Sequence, residues 1–423
     1  MTISGGLPRR IPHRVSWRPA AANPASGELA AQPTTAPAVT DTRSEPGTTY
    51  LDCNATAPLL PACAAAMAEV AAQARGNPSS LHALGRQSRA RIDEARQEVA
   101  ELVGAKAEDV TFTSGGTEAN VWALQAAFAD RSGAAAGLAV TAVEHSSILE
   151  TARELARQGV SLQVLPVDAR GALLPIALAR GTRLLAAMAA NNETGTLFDV
   201  AGLAAVAHAA GARLHCDAVQ ALGKIVVDTG AWDADSGSVS AHKIGGPQGI
   251  GALVTRPGLT LSPLLRGGGQ ERGRRSGTEN VMAIVGFGAA ARETQRQWAT
   301  AAVRARDLRD RLEARLLAAL PGCAVQGDRE RRLPNTSSLA FPGVKGEALV
   351  VHLDALGICV STGSACSSGS SKPSHVLVAM GVTPAELGGA LRVSLGPATT
   401  EAEIEMAGDA IVIAVRRLRA LAA

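Results

Sequence analysis

From Tyr50 onward, short apolar runs of strand character alternate with stretches whose apolar residues recur at helical spacing. The strand candidates are Val110–Thr113, Leu138–Val143, Gln163–Val167, Arg183–Met188, Arg213–Asp217, Ser238–Ser240 and Ile250–Val254. Between several of them lie helical patterns such as Arg91–Val103 and Val200–Ala210. This alternation predicts an α/β fold: a mostly parallel sheet with helices on both faces. Leu308, Leu312 and Leu316 fall at i, i+4 spacing amid Arg and Asp, which predicts an amphipathic helix over 301–320. That helix would lead from a large domain into a smaller C-terminal one. The chain shows no internal repeat.

The chain has 423 residues, 46% of them hydrophobic, enough to bury a large core. A net charge of +3 and an aromatic content of 2% give no basis for nucleic-acid binding. Charges or glycines break every apolar stretch before it could span a bilayer, so a soluble, cytoplasmic protein with no membrane partner is expected. Six cysteines (Cys53, Cys63, Cys216, Cys323, Cys359 and Cys366) are scattered with no CxxC pair. That pattern predicts free thiols in a reducing compartment and no zinc site. Residues 1–47 differ from the rest. They hold seven of the 21 prolines and no periodic run, and Arg9, Arg10, Arg14 and Arg18 precede the first acid. A targeting peptide would share the arginine bias, but the prolines spoil an amphipathic helix, so a disordered N-terminal extension is expected.

In open α/β sheets ligands sit beyond the carboxyl ends of the strands, so the loops there carry the candidate chemistry. Ser114-Gly-Gly-Thr-Glu-Ala-Asn120 follows the first strand and opens a helix. Its glycines permit close backbone approach, and a helix N-terminus offers N–H groups to an anion. It lacks the GKS/T ending of a Walker loop. Later strand ends supply Glu144-His-Ser-Ser147, Ala190-Asn-Asn-Glu-Thr-Gly195 and Asp217-Ala-Val-Gln220. The run Ser240-Ala-His-Lys-Ile-Gly-Gly-Pro247 closes the series. Nearly all basic residues here are arginines, so Lys243 among small residues stands out. A desolvated lysine can lose its proton and become a nucleophile, whereas arginine stays charged.

One ligand uses all these parts. Pyridoxal 5'-phosphate needs an anion cradle, a carboxylate at its ring nitrogen, a donor near its phenolic oxygen, a stacking group and a lysine. Asp217, at a strand end among small residues, is the candidate carboxylate, and Lys243 the candidate for the covalent link.

The chain resembles the NifS/IscS-type cysteine desulfurases, group I of the class V aminotransferase fold, from about Tyr50 to Gly396. It looks closest to the nitrogen-fixation (NifS) branch. The resemblance rests on Tyr50-Leu-Asp-Cys-Asn-Ala-Thr56, Gly76-Asn-Pro-Ser-Ser-Leu-His82, Thr113–Asn120, His215–Gln220 and the lysine run. Arg266–Thr278 and Ser361-Thr-Gly-Ser-Ala-Cys-Ser-Ser-Gly369 complete it. It implies fold type I of the pyridoxal-phosphate transferases. The large domain, 61–300, would hold a seven-stranded sheet, and the smaller α+β domain would comprise 48–60 and 301–423. Gly116, Thr117, Ser240 and His242 would bind the cofactor phosphate, joined by Thr278 from the partner subunit of a homodimer. His145 would stack on the ring and move protons, and Gln220 would bond the phenolic oxygen. Asn192 and Arg392 would hold the substrate carboxylate. The chain departs from the family at Cys53, usually Asn or Tyr, and at Ala57, usually Thr; neither position carries chemistry there.

Cys366 lies in the Ser/Gly-rich run 361–374, which reads as an exposed mobile loop, whereas Cys359 and Cys216 read as structural. The expected reaction converts L-cysteine to L-alanine and leaves the sulfur as a persulfide on Cys366. Lys243 would remove the α-proton, and a lowered thiol pKa would favour attack by Cys366, with His145 as proton acceptor. The sulfur would then pass to an Fe–S scaffold or another acceptor protein. Selenocysteine lyase activity, an aminotransferase, or a non-catalytic sulfur-relay scaffold are the rival readings.

Overall fold

All seven apolar runs form strands of one sheet, with small shifts at their ends. The computed structural model describes residues 47–73, 76–129, 136–362 and 373–422; most of the expected N-terminal extension, and Cys366, lie outside them. Strand β1 (Thr49–Tyr50) and helices α1 (Pro61–Gln73) and α2 (Ala83–Leu102) come first. The sheet is then built from β2 (Val110–Thr113), α3 (Gly116–Ala127), β3 (Gly137–Thr141), α4 (Ser146–Arg157), β4 (Ser161–Leu165), β5 (Thr182–Met188), α5 (Val200–Ala209), β6 (Arg213–Asp217), β7 (Ser236–Ser240) and β8 (Gly251–Thr255). Helix α6 (Val281–Ala319) leads to β9 (Ala324–Gln326), β10 (Thr336–Ala340), α7 (Gly346–Asp354) and β11 (Ile358–Cys359). After these come α8 (His375–Ala379), α9 (Pro384–Gly388), β12 (Ala390–Ser394) and α10 (Glu401–Ala422).

The strand order is β2-β8-β7-β6-β5-β3-β4, and only β8 runs against its neighbours. Strands β3, β7 and β8 are buried along their whole length, as expected for a sheet covered on both faces. Edge strand β4 is largely open to solvent. The parallel strands send their carboxyl ends to one side, so the loops after β3, β5, β6 and β7 share one edge.

The two largest hydrophobic cores among the described residues pack around different sheets. The first packs around the large sheet and includes Phe112, Leu185, Leu214 and Phe287. The second gathers Leu51, Leu308, Leu312, Leu316, Phe341, Leu391 and Ile411 around the antiparallel sheet β12-β10-β9. Helix α6, with 39 residues, serves both: Ala283–Ala291 supply the first core, and the three predicted leucines the second. The sequence pattern located only its second half, because the first half is apolar on several sides and has no amphipathic stripe. Gly288 of α6 lies so close to α2 that an added Cβ would stand 2.7 Å from Ala95 Cα. Val376, Leu377 and Met380, though late in the chain, join the first core.

A buried ion pair ties α2 to the long segment before α6. Arg96 donates from Nη1 to Glu271 Oε2 and from Nη2 to Oε1, each at 2.7 Å. Glu271 Oε2 also accepts from Phe112 N at 2.9 Å, and Arg96 Nη1 donates to Val110 O at 2.9 Å. Glu271 and Arg272 carry left-handed φ values of 49° and 58°, a strain sustained by these contacts. Glu271→Ala should destabilise the fold by about 3–5 kcal/mol, because Arg96 is left buried without its counter-charge. The double variant R96M/E271L should lose less, since no buried charge is left alone, although Phe112 N and Val110 O lose their partners; urea denaturation midpoints would measure both.

Candidate active site

The polar strand ends converge at the carboxyl edge of the large sheet. Asp217 ends β6 and is buried. Its Oδ2 accepts from Asn120 Nδ2 at 2.7 Å and its Oδ1 from Val219 N at 3.0 Å. Asn120 satisfies all its valences: Nδ2 also donates to Ser147 Oγ at 2.9 Å, while Oδ1 accepts from His215 Nε2 at 2.9 Å and Ser238 Oγ at 2.6 Å. A carboxylate only accepts, so Asp217 decides which end of the amide faces it. The amide oxygen in turn places the proton of His215 on Nε2, and Nδ1 lies 2.9 Å from Ser236 Oγ. Burial drives His215 down to about 4, against the attraction of Asp217, so the ring is neutral near pH 7.

His145 caps helix α4, accepting at Nδ1 from Ser147 N at 3.1 Å, with Ser147 Oγ at 2.8 Å. Nδ1 is thereby an acceptor and the ring proton resides on Nε2. Ser147 links His145 through Asn120 to Asp217. Glu144, just before it, is fully buried; Oε1 accepts from Thr141 Oγ1 at 2.6 Å and Met188 N at 2.9 Å, while Oε2 has no partner among the described residues.

Lys243 ends a single 3-10 turn, Ala241–Lys243, that continues β7. Its Nζ donates to Asn54 O at 2.6 Å and Ala55 O at 2.9 Å. Gln220 is buried, and its Nε2 donates to the same Asn54 carbonyl at 2.8 Å. His242 Nδ1 lies 3.2 Å from Thr56 Oγ1; burial, then the charges of Lys243 and Lys224, lower it to about 4. Gly116 and Thr117 open α3, whose N-cap, Gly115, offers no side-chain cap. An added Cβ at Gly116 would stand 2.6 Å from Val219 Cγ2 and 3.8 Å from Ser240 Cβ. Only glycine fits this corner, which joins the loops after β2, β6 and β7.

Arg392 lies in β12, buried to 2% exposure. It donates from Nη2 to Asp52 Oδ1 at 2.6 Å and from Nη1 to Asn192 O at 3.1 Å. Asn192 therefore meets Arg392 through its backbone carbonyl, which also accepts from Asn54 Nδ2 at 3.1 Å. Thr278 is exposed in the segment before α6. Cys366 is outside the described residues; the five described cysteines are all free thiols. Burial pushes Cys53 up to about 12 and Cys216 well above its ordinary value, as structural thiols require.

The donor set fits pyridoxal phosphate. A buried, hydrogen-bonded carboxylate, a lysine amine and an uncapped helix N-terminus with a glycine-only corner are the groups that a protonated pyridine, a carbonyl and a phosphate need. Sequence reasoning singled out Asp217 and Lys243 but passed over Asn120, Asn54, Asp52 and Lys224 as site residues. Asn120, Asn54 and Asp52 stood inside the quoted motifs; Lys224 had no signal beyond its rarity.

Comparison with known proteins agrees with this geometry. The aminotransferase class-V family matches residues 49–406, and the chain belongs to it. That family is pyridoxal-phosphate dependent, with fold type I. Within it, a cysteine desulfurase of Cereibacter sphaeroides is 47% identical over 378 residues, covering 88% of this chain and 97% of the relative. One from Nostoc sp. is 44% identical over 376 residues, covering 88% and 94%. Among solved structures, a NifS-like protein matches with TM-score 0.81 at 34% identity, over 86% of this chain and 98% of its own. A NifS-like protein from Rickettsia africae matches with TM-score 0.77 at 30% identity, over 88% and 99%.

Burial, with Asp217 nearby, raises Glu144 from an ordinary 4.5 to about 8, despite the opposing bond from Thr141. The unfolded chain thus releases this proton first. The stability contributed by Glu144 is full below about pH 4–5 and is lost as pH rises toward 8. Glu144→Gln should remove that loss and gain on the order of a few kcal/mol near pH 8 relative to pH 5. Urea melts of the cofactor-free protein across this range would measure it.

Proposed function

We infer that this chain is a pyridoxal-phosphate-dependent cysteine desulfurase that converts L-cysteine to L-alanine and captures the sulfur as a persulfide on Cys366. The observation that carries the reading is the convergence of Lys243, Asp217 and the open α3 N-terminus on one sheet edge. The named relatives supply the substrate.

Lys243 would hold the cofactor through Nζ, Asp217 would hold its ring nitrogen, and His145 would cover its face. The α3 amides, Gly116 and Thr117, with Ser240 and His242, would hold its phosphate. When bound, the cofactor supplies an electron sink for the charge left by the α-proton and so weakens the substrate C–S bond. Arg392 and Asn192 orient the substrate carboxylate; incoming substrate competes with Asp52 for the guanidinium. Lys243 Nζ would take the α-proton. The Cys366 thiolate attacks the substrate sulfur: the C–S bond breaks, an S–S bond forms, and the carbon that lost sulfur gains a proton to give alanine. Cysteine and one thiol thus become alanine and one persulfide, with no outside oxidant.

The antiparallel-sheet core supports a small domain, 48–60 with 301–423, beside a large one, 61–300, although Val376, Leu377 and Met380 of the small domain pack into the large-sheet core; Cys366 would belong to the small domain. The exposure of Thr278 supports its reaching the cofactor phosphate of a partner subunit in a homodimer. Transfer onward to an Fe–S scaffold or another acceptor protein, with nitrogenase cluster assembly as the route, rests on the NifS resemblance. A cytoplasmic site of action is proposed from the scattered, unpaired cysteine pattern; among the described residues no helix is long and apolar enough to cross a membrane.

Purified protein should be yellow and release one alanine per sulfur from L-cysteine under a reductant. Cys366→Ser should lose sulfide production by about 100-fold or more while still binding cofactor. Lys243→Ala should lose both the borohydride-trapped lysine adduct and the activity. A yellow protein that ignores cysteine but acts on selenocysteine would overturn the substrate assignment.

A further inference from the structure

Lysine is scarce in this chain, yet a second one shares the network of Lys243. Lys224 Nζ donates to Gln220 Oε1 at 2.8 Å and to Gln220 O at 3.0 Å. Gln220 Nε2 donates to Asn54 O at 2.8 Å, and Lys243 Nζ reaches that same carbonyl at 2.6 Å. The two lysine nitrogens are therefore joined through one amide and one carbonyl.

The two ends of a glutamine amide have nearly the same shape, so the partners decide which way it points. A lysine ammonium has three donors and no acceptor, and Lys224 therefore draws the oxygen to its side. Asn54 O alone is a weaker guide, because it already accepts from Lys243. With the oxygen held, one hydrogen of Nε2 goes to Asn54 O and the second has no protein partner among the described residues.

We propose that Lys224 is a positioning residue, holding the Gln220 amide so that its spare N–H donates to the phenolic oxygen of the cofactor. This rests on the cofactor reading above. Burial, and then the charge of Lys243, lower Lys224 to about 7; Cys53 and Arg392 are the other ionisable groups that act on it. A neutral amine keeps two N–H groups, which match the two oxygens of Gln220 that Nζ bonds, so the hold on Gln220 persists on both sides of that value.

The test follows the visible absorbance of cofactor-loaded protein across about pH 6–10, where the lysine-linked chromophore titrates. Losing the amide donor leaves the phenolic oxygen more basic, which retains the neighbouring proton to higher pH. Lys224→Met and Gln220→Leu should each raise the midpoint by about half a unit or more. The double variant should shift no further than Gln220→Leu, because both changes remove one interaction. Lys224→Arg, whose guanidinium only donates, should keep the native midpoint. An unchanged midpoint in Lys224→Met, or additive shifts in the double variant, would overturn the proposal by reducing Lys224 to a bystander or a bare charge. If circular dichroism shows Lys224→Met unfolded, Lys224→Arg decides: a native midpoint supports the proposal and a displaced one overturns it. Native protein that takes up no cofactor would overturn both this proposal and the reading beneath it, whereas a coloured protein separates the two.

Discussion

A carboxylate buried at a strand end needs donors to replace the water it has lost, and the donors Asp217 requires organise much of this site. Asn120 Nδ2 and Val219 N supply them. Once Asn120 faces Asp217 with its nitrogen, its oxygen faces His215 and Ser238, and its second hydrogen faces Ser147. Ser147 then sets the acceptor edge of His145. One acceptor-only group thus orients five side chains: Asn120 on α3, His145 and Ser147 at the start of α4, His215 on β6 and Ser238 on β7.

The second organising element is the short segment after β1. Its backbone carbonyls, Asn54 O and Ala55 O, receive Lys243, and Asn54 O also receives Gln220. The Asn54 side chain bonds Thr336 Oγ1 at 2.9 Å and Asn192 O at 3.1 Å, and Asn54 N donates to Ser394 Oγ at 3.0 Å. Asp52 holds Arg392. These few residues stitch the edge of the large sheet to the antiparallel sheet around the second core. The substrate binding proposed for Arg392 and the chemistry proposed for Lys243 would therefore rest on one strap.

Much of the fold was legible in the residues. Strands such as Arg183–Met188 and Arg213–Asp217 announce themselves because a covered parallel sheet demands near-continuous apolar runs. The amphipathic half of α6 was equally plain, since Leu308, Leu312 and Leu316 mark one stripe beside charged residues. The first half was not, because a helix buried on several sides loses its periodic contrast. Asp217 and Lys243 could be found because each breaks a run of small or apolar residues at a strand end.

The partners were not legible. Nothing local in Asn54 predicts that its carbonyl will meet Lys243, nor in Asp52 that it will meet Arg392, because those residues are far apart along the chain. Lys224 read as an ordinary basic residue until the turn after β6 placed it against Gln220. The sequence alone determined which segments are strands, where their loops lie and which residue types the chemistry has available, because periodicity and residue chemistry are local properties. Tertiary structure alone decided which way each amide faces, which ring nitrogens hold protons and which carbonyls receive the lysine, because those depend on contacts between distant segments.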